Sequence, residues 1–128
     1  MDDMTANRVR TKLVVPSADR ALEWYQQALG AEVVDRSEID GSVVFAAFTV
    51  LGTTLTIKDA DAVDPQPEHL ILDITTDDAD PVWHGMVEAG AEVVFPIDDQ
   101  FYGQRGGRLR DPFGVQWIVS GPLSSDRA

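Results

Sequence analysis

The string Gly-Ala-Glu-Val-Val occurs twice in this chain, at Gly30 to Val34 and again at Gly90 to Val94. Each copy follows an amphipathic helical stretch, and each of those follows a short apolar run, Leu13-Val14-Val15 in the first case and Leu70-Ile71-Leu72 in the second. The repeat is thus one of whole supersecondary units, and a chain built this way folds as two copies of one module. Further extended segments come after each Glu-Val-Val. In the first half they are Ser42 to Val50 and Thr53 to Ile57, broken at Leu51-Gly52. In the second they are Arg108-Leu109-Arg110 and Val115 to Val119, separated by the turn Asp111-Pro112-Phe113-Gly114. Each half reads as a strand, a helix and three strands, an α+β arrangement.

The helices are legible from their spacing and their ends. Ala21, Leu22, Tyr25, Ala28 and Leu29 recur at the interval of one buried helical face, Ser17 stands at the N-cap, and Gly30 stops the helix. In the second unit Asp80 is expected to cap, Pro81 to take the first helical position, and Val82, Trp83, Met86, Val87 and Ala89 to form the apolar face before Gly90. Between the modules, residues 58–67 hold Asp and Pro without apolar period and read as a linker. Modules over 10–57 and 68–120 then make up a single domain, in keeping with a chain of 128 residues.

Charge and composition narrow the function classes. Ten Lys and Arg against 22 Asp and Glu give a formal net charge of −12, the wrong sign for steering onto nucleic acid or anionic lipid. The polar start from Met1 to Arg10 and the lack of a long apolar run predict a soluble, cytoplasmic protein with no membrane partner. With no cysteine, disulfide scaffolds, thiolate nucleophiles, Cys-ligated zinc and iron–sulfur clusters drop out.

The paired modules, the stretch from Ala21 to Tyr25 followed by Ala28 to Glu32, and the segment from Tyr102 to Gly114 with its Arg-Asp-Pro-Phe-Gly ending resemble the glyoxalase, bleomycin-resistance and extradiol-dioxygenase superfamily, also called vicinal oxygen chelate proteins. The last segment is most similar to PhnB-like members. The resemblance implies two βαβββ modules forming a cupped mixed sheet, helices on the convex face, a small-molecule pocket in the cup and assembly as a homodimer. In metal-dependent members, ligands come from the first and last strands of each module.

The internal repeat proposes where those positions fall. Pairing Leu13-Val14-Val15 with Leu70-Ile71-Leu72 puts Lys12 and His69 in equivalent places, and pairing Gly52 with Gly114 puts Thr56 opposite Ile118. Alternation turns Leu13, Val15, Leu55 and Ile57 toward the helices, with Leu70, Leu72, Trp117 and Val119 doing the same in the second half. It turns Lys12, Thr56, His69, Gln116 and Ile118 into the cup. A divalent cation needs oxygen or imidazole donors, and of the four positions only His69 qualifies. A slip of one residue in the last strands brings in Gln116 or Val119 and Lys58 or Thr54, with Gln116 the one usable donor. No metal cofactor is therefore expected.

The remaining candidates concern the ligand. His69 suits a general base or hydrogen-bond donor in the cup, or is a strand histidine satisfied by a neighbour. His84 reads as a helix-surface residue. Arg105, Arg108 and Arg110 either recognise a carboxylate or phosphate or pair with Asp98, Asp99 or Asp111. Phe101 and Tyr102, beside Gly103, are placed to stack on a flat ligand. Phe45 and Phe48 line cup or core depending on face. Gly103 to Gly107 opens no helix, so dinucleotide and nucleotide phosphate loops are excluded. No catalytic residue can be assigned. The expected function is metal-free binding of a small, antibiotic-like organic ligand, and the alternative is a metal-dependent lyase, isomerase or dioxygenase acting on a vicinal-oxygen substrate.

Overall fold

The structure, a computed structural model describing residues 7–126, contains eight strands and two α-helices. The order is β1 (Lys12–Val15), α1 (Ala18–Leu29), β2 (Glu32–Ile39), β3 (Ser42–Val50), β4 (Thr53–Asp59), then β5 (Ile71–Thr75), α2 (Ala79–Glu88), β6 (Glu92–Asp99), β7 (Arg105–Arg110) and β8 (Gln116–Gly121). A short 3-10 turn, Ser124–Asp126, follows. Two four-stranded sheets form with orders β1-β4-β3-β2 and β5-β8-β7-β6. In each, the outer pair β1–β4 or β5–β8 is parallel and the rest antiparallel, so both halves are βαβββ modules with open, cupped sheets. No helix among the described residues is long and apolar enough to cross a membrane.

Local chemistry accounts for the helix ends, with one displacement. The Ser17 side chain accepts from the Arg20 N–H at 3.3 Å, and Gly30 ends α1 in the left-handed region at φ 67°. A second cap comes from far along the chain. Asp59, at the end of β4, accepts from the Ala18 N–H at 2.7 Å and from the Val43 N–H at 3.0 Å, fastening the start of α1 to its own sheet. The acidic stretch after β4 also has work to do: Asp61 and Asp64 both bond the Lys58 ammonium. α2 starts two residues earlier than expected, at Ala79 with Asp78 as N-cap, so Pro81 is its third residue. Proline is tolerated there because the first four helical N–H groups have no partner within the helix.

One core runs through both modules. Leu13, Val15, Ile57 and Phe48 from the first sheet join Leu109, Trp117 and Val119 from the second, with Tyr25 and Met86 supplied by the helices. Phe48 thus lies in the core, stacked on Tyr25 with ring centroids 5.6 Å apart, whereas Phe45 is on the opposite face. The modules are tied by Trp24, whose indole N–H donates to the Ala89 carbonyl at 2.6 Å, and by Asp111. Asp111 is only 3% exposed and accepts four hydrogen bonds: from the Tyr25 hydroxyl at 2.6 Å, the Trp117 indole at 2.9 Å, and the N–H groups of Phe113 at 2.9 Å and Val115 at 3.1 Å. Burial pushes its carboxyl above the usual carboxylate range, while the four donors pull it back down. Burial and the neighbouring Asp111 carboxylate together hold Tyr25 well above the usual phenol range.

The glycines Gly106 and Gly107 lie inside β7. The reason is packing: a Cβ on Gly107 would sit 2.7 Å from the Trp83 ring and 2.8 Å from the Ile97 backbone. β7 can approach α2 and β6 so closely only without a side chain there.

Two outcomes follow. Replacing Asp111 by Ala strands four donors in the core, three of them from the second module, and should lower the melting temperature by roughly 10 °C or more; Asp111→Asn, which turns an NH2 toward one pair of them, should cost about 1–3 kcal/mol in chemical denaturation. Gly107→Ala should cost a similar ~1–3 kcal/mol through overpacking, measured the same way, whereas an unchanged midpoint would mean that β7 can move away from α2.

Candidate functional site

The faces of the two sheets turned away from the shared core form the cups, and strand register decides what stands on them. In the first sheet a row crosses from Ala47 through Thr56 to Lys12. In the second, the corresponding row crosses from Phe95 through Arg108 and Ile118 to Asp73. Thr56 and Ile118 are equivalent, as the turn glycines suggest, but the counterpart of Lys12 is Asp73 and not His69. β5 is centred further along than its apolar opening implies, because Asp73 and Thr75 alternate with Leu72 and the buried Ile74. The shift from 69 to 73 is an even number of residues, so the face assignment survives while the position does not. His69 lies in the segment leading into β5, its side chain 86% exposed and its Nε2 4.0 Å from Glu68. His84 is on the exposed surface of α2, as expected.

The four equivalent positions are thus Lys12, Thr56, Asp73 and Ile118. The Lys12 ammonium sits over the Phe45 ring, 5.2 Å from its centroid, and Thr56 beside it is buried. One carboxylate and one neutral hydroxyl beside an ammonium do not fit a divalent cation, which needs several anionic or imidazole donors. Among the described residues no cluster of three His, Asp or Glu side chains comes together anywhere.

The three arginines of the loop and β7 have different surroundings. Arg105, one of the ligand candidates, takes the pairing alternative and turns toward α2, donating to Asp80 at 2.8 Å and Asp99 at 3.4 Å, with Asp98 at 4.0 Å. Its hydrogen bond to Asp80 is the main cause that raises its pKa. Arg110 donates to Glu92 at 2.9 Å across the β6–β7 pair. Arg108 faces the cup between Phe95 and Ile118. Its guanidinium lies 5.7 Å from the centroid of the Phe95 ring, and its Nη1 reaches the Gln116 Oε1 only at 3.5 Å. Its Nε is buried and has no hydrogen-bond partner.

Arg108 lines a cavity of about 170 Å³ with Phe95, Gln100, Tyr102, Ile118 and the backbone of Gly106 and Gly107. Of the two aromatic candidates in the β6–β7 loop, Tyr102 reaches this cavity, while Phe101 is 99% exposed and packs edge-on against Tyr102 at 5.3 Å. A second cavity, about 270 Å³, opens between the modules among Val50, Leu55, Leu72 and Trp117, with Asp73 its one charged lining residue. The importance of Arg108 over its neighbours depends on which residue β6 sets opposite each arginine. The answer is Glu92 for Arg110 and Phe95 for Arg108, and two irregularities in that pairing hide it from the sequence.

Residues 7–119 match the Glyoxalase/Bleomycin resistance protein/Dioxygenase superfamily, and the chain belongs to that family. The uncharacterized protein Mb0911c of Mycobacterium bovis is 30% identical over 122 residues, 87% of this chain and 80% of its own length. Among solved structures, the PhnB protein of Bacillus cereus superposes with a TM-score of 0.72 at 21% identity, over 92% of this chain and 100% of that one. A bleomycin-binding protein in complex with bleomycin superposes with a TM-score of 0.68 at 13% identity, over 91% of this chain and 98% of the other. These structural likenesses are of fold.

Proposed function

We propose that this protein binds a small organic molecule in its cup without a metal ion, in the manner of a sequestering or carrier protein, and that it does so as a homodimer. The observation that carries the reading is the donor set Lys12, Thr56, Asp73 and Ile118: at the very positions where metal-dependent relatives are expected to hold their ion, this chain has an ammonium and a branched hydrocarbon side chain in place of two ligands. The same set argues against the alternative of a metal-dependent lyase, isomerase or dioxygenase on a vicinal-oxygen substrate. A relative of this fold whose structure contains bleomycin supports an antibiotic-like ligand.

Within this reading Lys12, Thr56, Gln116, Ile118 and Tyr102 contribute to the pocket walls, and exposed His69 and Phe101 stand at its margin. A second copy is the proposed partner because each chain leaves the apolar Ile71 of its cup face open, at 43% exposure. Covering such a face is the ordinary reason for association.

Calorimetric titration of the purified protein with Zn²⁺, Ni²⁺, Mn²⁺ and Fe²⁺ should give no stoichiometric binding, and EDTA should leave the melting temperature unchanged. Bleomycin at a hundred-fold excess over its Kd should raise stability by about 2.7 kcal/mol. One ion per chain, bound at micromolar affinity and lost on Asp73→Ala, would overturn the metal-free reading.

A further inference from the structure

We infer that the cavity around Arg108 is an anion subsite that takes the carboxylate of a flat, aromatic or similarly planar organic acid. The inference rests on the small-molecule reading above and specifies the chemical class of the ligand.

One buried polar group is left unsatisfied by the protein itself. A buried N–H without an acceptor is costly, and native structures leave few of them. The Arg108 Nε is such a group. Its guanidinium, moreover, has no carboxylate within ion-pair distance among the described residues, although the chain carries 22 acidic residues against 10 basic ones. The arginines on either side show what the surplus of acid ordinarily does: Arg105 is held by Asp80 and Asp99, and Arg110 by Glu92. At Arg108 the pairing strand supplies Phe95 in place of an acid. Nor does Gln116, at 3.5 Å from Nη1, replace an anion.

The shape of the cavity restricts what the missing acceptor is attached to. Guanidinium presents a rigid planar fork that matches a carboxylate through two parallel hydrogen bonds. Around that fork stand the Phe95 ring, Tyr102 and Ile118, so the body carrying the carboxylate meets apolar and aromatic walls. The Gln100 amide already donates to the Gly106 carbonyl at 2.9 Å, and the Tyr102 hydroxyl is neutral, so neither supplies an anion. At about 170 Å³ the space is smaller than the ~300–1,000 Å³ of a cavity for a whole drug-sized ligand. It therefore accepts one ring-sized acidic headgroup, and the remainder of a larger ligand extends along the open cup. A tetrahedral inorganic anion satisfies the charge but leaves the aromatic walls unused.

The test follows the Arg108 Nε–Hε resonance by NMR in ¹⁵N-labelled full-length protein, at constant ionic strength, during titration with sodium benzoate, benzamide or inorganic phosphate. Benzoate should shift the resonance saturably, while benzamide and phosphate should bind roughly tenfold or more weakly. Arg108→Gln should weaken benzoate by a similar factor, read from the Tyr102 and Ile118 backbone amides. Arg108→Lys, which keeps the charge and loses the fork, should fall between, and it serves as the second variant if Arg108→Gln does not fold. The subsite is overturned if benzoate and benzamide bind equally, if either folded variant binds benzoate as the wild type does, or if benzoate gives no saturable shift up to the solubility limit. Each of these results leaves the metal-free binding reading standing, because that reading fails on metal stoichiometry and not on benzoate.

Discussion

The structure hangs on a buried carboxylate. Asp111 gathers the Tyr25 hydroxyl from α1 and the Trp117 indole from β8, together with two backbone N–H groups of its own turn, into one hydrogen-bonded knot. Tyr25 belongs to the first module and Trp117 to the second, so the knot joins halves whose sheets share no strand. Desolvating a carboxylate is expensive, and four donors offset that cost only while all of them stay in place. This mutual dependence fixes the relation of the modules more tightly than apolar packing alone, which is tolerant of sliding. Rings around Tyr25, with Phe48 stacked and Trp117 and Phe113 edge-on, add contact on every side of it.

With the helices and the core-facing rows committed to that joint, the opposite faces of the sheets are left for function. Their chemistry is set by which charges are consumed elsewhere. Lys58 is held by Asp61 and Asp64, Arg36 by Asp19 and Glu38, Arg105 by the start of α2 and the end of β6. What stays available in the cups is a lysine over Phe45 in one module and an arginine over Phe95 in the other. A cation resting on an aromatic face repels metal ions and welcomes anions or acceptors, and the proposed metal-free binding rests on that electrostatic character.

Much of the fold was legible from local pattern. The repeated Gly-Ala-Glu-Val-Val, the Ser17 cap, the Gly30 stop and the break at Leu51-Gly52 all follow from rules that act within a few residues, and β3 falls at Ser42–Val50 as its composition predicts. The site was legible only in part. Lys12, Thr56, Gln116 and Ile118 stand on the cup face because alternation needs no knowledge of neighbours. His69 does not stand where the repeat put it, and Arg105 takes the ion-pairing alternative in place of a ligand. The first depends on how far β5 slides along β8, the second on whether α2 offers an acid, and both are facts about residues dozens of positions away.

The sequence by itself determined the twofold module and the inward and outward rows of each strand, since periodicity is a local property. Tertiary structure alone decided that Asp73 stands where Lys12 has its counterpart, that Asp59 caps α1, and that Arg108 faces Phe95 instead of an acid. Register between strands and the pairing of charges are settled by the whole sheet at once, by irregularities in β6 and by burial against the other module, so no short window of residues contains them.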